Sequence, residues 1–170
     1  KFYLTASRQG VLIIGRRDPC NQNLATVHWL IDRNNYASFG FWNCPGQNSI
    51  GQNYYNISQY EGQWIFVTTI YNSSSKVIMD YINGNLTSSD NVTSTPNLFN
   101  SYTYIGHKAL NNENYFNGTI DEVRIYNYSQ SADQILANYN NGVARYNLTV
   151  SQELHRGDNW SCTAWPIDSQ

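Results

Sequence analysis

Charge is scarce in this chain. Asp, Glu, Lys and Arg make up 13% of its 170 residues, against ~25% in an ordinary globular domain. The net charge of −2 comes with no basic run and no acidic tail, so the electrostatic footprint of a nucleic-acid or anionic-membrane binder is missing. Apolar runs are short as well. None approaches the ~20 residues that a membrane-spanning helix needs. The sequence opens at Lys1 with neither an initiator Met nor an apolar leader, which reads as a mature or excised piece.

Catalytic and metal-binding spacings are equally thin. His28, His107 and His155 stand apart from one another. No His-x-x-His or Cys-x-x-Cys pair offers a zinc site, and no Ser/His/Asp set suggests a nucleophilic triad. Glycosidases need two carboxylates about 5 to 9 Å apart across one sugar bond. No strand-like run carries Glu-x-Asp or Asp-x-Glu, and Asp18, Asp32, Asp80, Asp90 and Glu113 are scattered. No catalytic residue is therefore assigned, and the expectation is a protein that is not an enzyme.

Cysteine is limited to three residues. Cys20 and Cys44 are spaced to close a loop worth about 3.5 kcal/mol in the chain-entropy account. Cys162 is then left with a partner outside the chain or as a free thiol. Three reduced, buried cysteines are the alternative.

What the chain has in abundance is Asn, with 24 copies, and 14 Tyr. Eight Asn-Xaa-Ser/Thr sequons occur, at Asn56, Asn72, Asn85, Asn91, Asn117, Asn127, Asn147 and Asn159. Composition alone would give roughly four such matches. The excess points to a glycoprotein, with covalent N-glycans as partners and an extracellular location, at a cell surface or secreted.

Apolar and β-branched runs recur between turn residues: Gly10 to Arg16, Ala25 to Ile31, Tyr36 to Trp42, Gln63 to Tyr71 and Lys76 to Ile82. Others follow at Tyr102 to Gly106, Gly118 to Tyr126, Ala144 to Val150 and Asn159 to Trp165. Strands at this spacing predict an all-β sandwich. Asn83-Gly84 predicts a type I′ hairpin leading into the strand of Leu86. One helix is expected near residues 131–140, because Ser131 and Gln134 form a capping box ahead of Ile135, Leu136 and Tyr139, and Asn141-Gly142 supplies a stop. Ile120, Val123 and Ile125 cannot share one face of a regular strand, so a β-bulge is expected at Asp121-Glu122.

These residues carry a resemblance. FNGTIDEVRIYNYSQSADQI, EGQWIFVTTIYN, DYINGNL and YIGH resemble, in order and spacing, the signature segments of laminin-G-like, concanavalin A-like jelly-roll domains of prokaryotic surface proteins, over residues 10–142. The resemblance implies an antiparallel jelly-roll sandwich lacking its usual N-terminal strands, within a domain spanning residues 1–142. Residues 143–170 then form a C-terminal extension. Its alternating Ala144, Tyr146, Leu148 and Val150 suit an assembly strand donated to a neighbouring copy; the alternatives are that residues 143–170 fold back on their own domain or link to a following module. The segment QELHRGDNWSCTAWPID resembles the opening of an immunoglobulin-like module.

The resemblance also implies a possible structural calcium, with a bulged Asp121 as its ligand. Asp121 capping local amides or pairing with Arg124 is the competing reading. Tyr54, Tyr55, Tyr60, Trp42 and Tyr115 lie in or near expected loops, where aromatic faces suit external carbohydrate. Two functions remain: a non-catalytic structural or adhesive module of a surface protein or filamentous appendage, assembling with copies of itself or adjacent modules through terminal strands, and a carbohydrate-binding module of a secreted protein.

Overall fold

Strands form where β-branched and aromatic residues alternate between turn formers. The computed structural model describes residues 1–7, 9–14, 24–32, 34–44, 49–96, 103–107 and 115–146. Among these residues, two antiparallel sheets face one another. Strands β1 (Gln9–Ile14), β2 (Leu24–Ile31), β3 (Tyr36–Cys44), β4 (Ser49–Asn56), β5 (Val67–Asn72), β6 (Val77–Ile82), β7 (Asn85–Asn91) and β8 (Thr103–Ile105) follow in chain order. A five-stranded sheet runs β4-β3-β2-β1-β8 and a three-stranded sheet runs β5-β6-β7.

The core lies between the sheets. Val27, Trp29 and Ile31 of β2, with Ala37, Phe39 and Phe41 of β3, point inward at alternate positions and meet Ile78 and Ile82 of β6. One long side of the sandwich is closed between β4 and β7. There the Thr93 N–H donates to the Ile50 carbonyl at 2.6 Å, and the Gln52 N–H donates to Asp90 Oδ2 at 3.0 Å. Gly51 permits this approach, because a Cβ there would meet Val92 at 2.9 Å.

The hairpin between β6 and β7 forms as the Asn-Gly pair predicts. Asn83 and Gly84 have φ of 52° and 80°, the left-handed pair that a type I′ turn requires. The capping box also forms: the Ser131 N–H donates to Gln134 Oε1 at 2.8 Å, and the Gln134 N–H donates to Ser131 Oγ at 3.2 Å. It starts helix α1 (Ala132–Tyr146). Ile135, fully buried, seats the helix on Ile70 and Tyr81 at the outer face of the three-stranded sheet.

Three expectations need correction. Strand β4 was not among the apolar runs, since its residues, SIGQNYYN, are mostly polar. The helix does not stop at Asn141-Gly142 but continues to Tyr146. Gly142 keeps out of the positive-φ region that ends helices, and an interior glycine costs a helix only about 1 kcal/mol. Ala144 and Tyr146 thus belong to the last helical turn and not to a strand, while Leu148 and Val150 lie outside the described residues.

The third correction concerns Gly118 to Tyr126. This run is not a strand: the Phe2↔Gly118 bridge is its sole ladder pairing among the described residues. The irregularity read at Asp121-Glu122 does exist, as Glu122 has φ of 52°. It breaks the extended backbone instead of bulging it. The bridge itself depends on glycine, because a Cβ on Gly118 would sit 2.1 Å from the Lys1 carbonyl oxygen.

Candidate functional surfaces

The outer face of the five-stranded sheet is built by the alternate positions of the core strands. Register places Tyr104, Ile13, His28, Gly40 and Gln52 in one row across β8, β1, β2, β3 and β4. His28 and Ser38 are buried at its centre. Trp42 tilts against His28 with ring centroids 5.3 Å apart. Toward the Asp32–Tyr36 turn the face opens. Tyr36 and Tyr54 stack nearly parallel at 4.6 Å, and Tyr54 is half exposed. The Tyr54 hydroxyl donates to Asp32 Oδ2, which raises its pKa. At the opposite edge His107 stacks on exposed Tyr115 at 5.7 Å.

Of the aromatic residues expected near loops, Tyr54 and Tyr115 are exposed, and Trp42 and Tyr60 are half-buried. Tyr55 is buried in the core, because it alternates with Tyr54 on β4 and so faces Ala37 across the ladder.

A second feature lies inside the sandwich. Asp80 of β6 is fully buried, and the Thr69 hydroxyl donates to its Oδ1 at 2.5 Å. Among the described residues its Oδ2 has no hydrogen-bond partner, nor do the Asn53 Nδ2 and Tyr55 hydroxyl on the facing sheet. Burial pushes the Asp80 carboxyl up to about 7, while the Thr69 hydroxyl and the nearby Asn53 amide oppose the rise. Burial, with the Asp80 charge second, also pushes the Tyr55 hydroxyl up. Sequence gave Asp80 no special standing. Its place opposite Thr69, on the inward side of an alternating VIMDYI run, is the one signal that could have flagged it.

Several other described carboxylates hold backbone amides or a cation close by in space. Glu61 Oε1 accepts the Leu4 N–H, Asp32 Oδ1 accepts the Asn34 and Tyr36 N–H groups, and Asp90 receives Gln52. Asp121 Oδ1 accepts the Glu122 N–H at 2.8 Å, and Arg124 pairs with Glu122. Among the described residues no three His, Cys, Asp or Glu side chains converge as a metal group. The calcium expectation at Asp121 thus gains no ligand set here.

A third feature is the side of the sandwich opposite β4 and β7. Strand β5 pairs with β6 alone, and β8 with β1 alone, among the described strands. Residues 119–130 pass this side, touching β5 through the Ser129 hydroxyl, which donates to the Tyr71 carbonyl at 3.2 Å. Val123, Ile125, Tyr126 and Tyr128 are exposed there, Ile125 at 63%.

The sequons spread over the surface. Asn56, Asn85, Asn91, Asn117 and Asn127 are exposed and Asn72 is half-buried, whereas Asn147 and Asn159 lie outside the described residues. The Cys20–Cys44 pairing also falls outside them, since only the backbone of Cys44, at the end of β3, is described.

Two facing antiparallel sheets, a capped helix on the smaller one and the Asn-Gly hairpin are the features of the sandwich anticipated above. The Laminin_G_3 family model matches residues 3–136. The chain belongs to the concanavalin A-like lectin/glucanases superfamily. Among solved structures, this laminin-G-like chain is similar to the CBM40 of a Ruminococcus gnavus IT-sialidase bound to α2,3-sialyllactose. The identity is 14%, the TM-score 0.50, and the match covers 81% of this chain and 78% of that one. It is also similar to an S-layer domain-containing protein of Clostridium thermocellum, at 21% identity and TM-score 0.41, covering 82% and 67% of the two chains. At its identity the likeness to the sialidase module speaks to the fold alone. No curated protein sequence matches the chain. No described helix is long and apolar enough to cross a membrane.

Proposed function

We propose that this laminin-G-like domain is a non-catalytic extracellular module, structural or adhesive, that displays N-glycans and joins neighbouring copies or modules by β-strand addition. The observation that carries this reading is the open side of the sandwich. The edge of β5 that pairs with no described strand can accept further backbone hydrogen bonds from an added strand. Val123, Ile125, Tyr126 and Tyr128 supply apolar surface for that strand to cover. The alternating Leu148 and Val150 of a neighbouring copy are the matching donor. Among the described residues Asp80 is buried and Glu61, Asp90 and Asp121 hold backbone amides, which accords with a non-catalytic role.

Light scattering and electron microscopy of the native protein test the assembly. Polymers or oligomers are expected, and replacing Leu148 and Val150 together with Asp should abolish them while each subunit stays folded. Undiminished assembly in that variant, or a wild-type chain that stays monomeric at high concentration, overturns strand addition.

A second reading, carbohydrate binding, is favoured by the stack of exposed Tyr54 on half-buried Tyr36. An exposed tyrosine ring on the open part of a sheet face is the type of platform that a sugar face covers. A glycan-array screen with wild type and Tyr54→Ala distinguishes it. Ligands retained only by the wild type support this second reading.

A further inference from the structure

We infer that Asn56 and Asn72 are the sequons that the folded domain offers for N-glycosylation, ahead of the other four in the described residues. The inference rests on the reading of the domain as a glycan carrier and adds which atoms accept the sugar.

A sequon is read at two groups: the Asn carboxamide nitrogen that becomes linked, and the hydroxyl two residues later that the motif requires. An acceptor must present both together. In the transfer, Nδ2 attacks C1 of a sugar carried on a lipid diphosphate. The Nδ2–C1 bond forms, the C1–O bond breaks, and the diphosphate leaves with the electron pair. The Nδ2 proton goes to a base of the transferase. Any hydrogen bond holding Nδ2 or the hydroxyl must be given up first.

Asn56 ends β4 and Asn72 ends β5, both where the chain turns. Asn56 Oδ1 accepts the Ser58 N–H at 2.9 Å. Asn72 Oδ1 accepts the Ser74 N–H at 3.0 Å and the Ser75 N–H at 3.1 Å. These Asx turns fold each Asn-Xaa-Ser triplet into a tight loop with its carboxamide oxygen occupied. Both Nδ2 groups and the Ser58 and Ser74 hydroxyls stay without a hydrogen bond among the described residues.

The other four differ, each at a named atom. Asn85 Nδ2 donates to the Asn83 carbonyl at 3.2 Å, and the Thr87 hydroxyl donates to the Asn85 carbonyl at 3.2 Å. At Asn91 the Thr93 hydroxyl donates to the Ile50 carbonyl at 3.0 Å, at the closed side of the sandwich. Asn117 Nδ2 points to the Tyr3 carbonyl at 3.4 Å, beside the Phe2↔Gly118 bridge. At Asn127 the Ser129 hydroxyl is held by the Tyr71 carbonyl. Four sequons are thus engaged by the fold at Nδ2 or at the hydroxyl, whereas at exposed Asn56 and half-buried Asn72 both groups stay unbonded among the described residues.

The test uses full-length protein made without glycans and treated with a purified single-subunit oligosaccharyltransferase that accepts Asn-Xaa-Ser/Thr, with a lipid-diphosphate oligosaccharide as donor. Glycopeptide mass spectrometry reads occupancy at each sequon, on folded chain and on chain held unfolded in urea at a level the transferase tolerates. In the folded chain Asn56 and Asn72 should exceed each of the other four by roughly fivefold, the factor set by one hydrogen bond to be released. In the unfolded chain that preference should vanish. Ser58→Ala and Ser74→Ala keep the Asx-turn amides but should each delete one glycan mass. Equal occupancy at all six sites of the folded chain, or Asn85 or Asn117 leading, overturns the inference. Glycopeptide analysis of the native protein answers the separate question: an absence of glycans there refutes the glycan-carrier reading, whatever the transfer experiment gives.

Discussion

Replacing Asp80 with Asn should remove a pH dependence that the wild-type domain carries in its core. Asp80 is fully buried with Oδ2 unpartnered among the described residues, and burial pushes its carboxyl from an ordinary 3.8 up to about 7. A carboxyl raised in the folded state binds more protons there than in the unfolded chain between those values. Stability must then fall as pH rises. The contribution is fully present below about pH 4 and lost as pH passes 7. A rise of about 3 pH units at 1.36 kcal/mol each corresponds to about 4 kcal/mol, a large share of the 5–15 kcal/mol by which domains are stable. Urea unfolding of wild type and Asp80→Asn at intervals from pH 4 to pH 8.5 is the assay. The Asn side chain keeps an acceptor for the Thr69 hydroxyl, so the variant folds around the same contact. Every other titrating group cancels in the difference between the two curves. That difference should shift in favour of the variant by about 4 kcal/mol across the range. Parallel curves would mean that Asp80 is ionised without penalty, through water or a cation reaching Oδ2, and the reasoning would fail.

Other outcomes follow from the same packing. Ile135→Ala should cost about 2–5 kcal/mol and undock α1 from Ile70 and Tyr81, seen as lost helical circular dichroism with the strands retained. Gly118→Ala should release the N-terminal segment, since its Cβ would overlap the Lys1 carbonyl. Faster proteolysis ahead of Gln9 with unchanged β2–β3 amide protection would register it. Gly84→Ala should destabilise the β6–β7 hairpin by at least about 1 kcal/mol, because φ is 80° and the new methyl would meet Leu136 at 2.8 Å. A thermal midpoint equal to wild type would refute that account.

The hairpin, the capping box and most core strands were legible in the sequence because each is decided locally. Asn83-Gly84 encodes its own positive φ angles, and Ser131 and Gln134 satisfy each other's amides within one turn. Strand β4 was not legible. Its inward residues are Gly51, Asn53 and Tyr55, a set without apolar periodicity, and it is a strand because β3 pairs with it along its length. The run Gly118 to Tyr126 failed in the opposite way. Its β-branched residues favour extension, but no described strand lies alongside to satisfy its backbone.

By itself the sequence determined the fold family, the sequon positions and the shortage of paired carboxylates, since each depends on residue identity and short-range order. Tertiary structure decided which atoms are spent. The interior position of Asp80, the exposure of Tyr54 beside buried Tyr55, and the engagement of the sequons at Asn91, Asn117 and Asn127 depend on partners far away in the chain, whereas Asn85 is held by groups two residues away. Ile50 lies 43 residues from Thr93, Tyr71 lies 58 from Ser129, and Tyr3 lies 114 from Asn117. A hydrogen bond forms where folding brings a donor and an acceptor together, and no local pattern records which distant carbonyl will be the one to arrive.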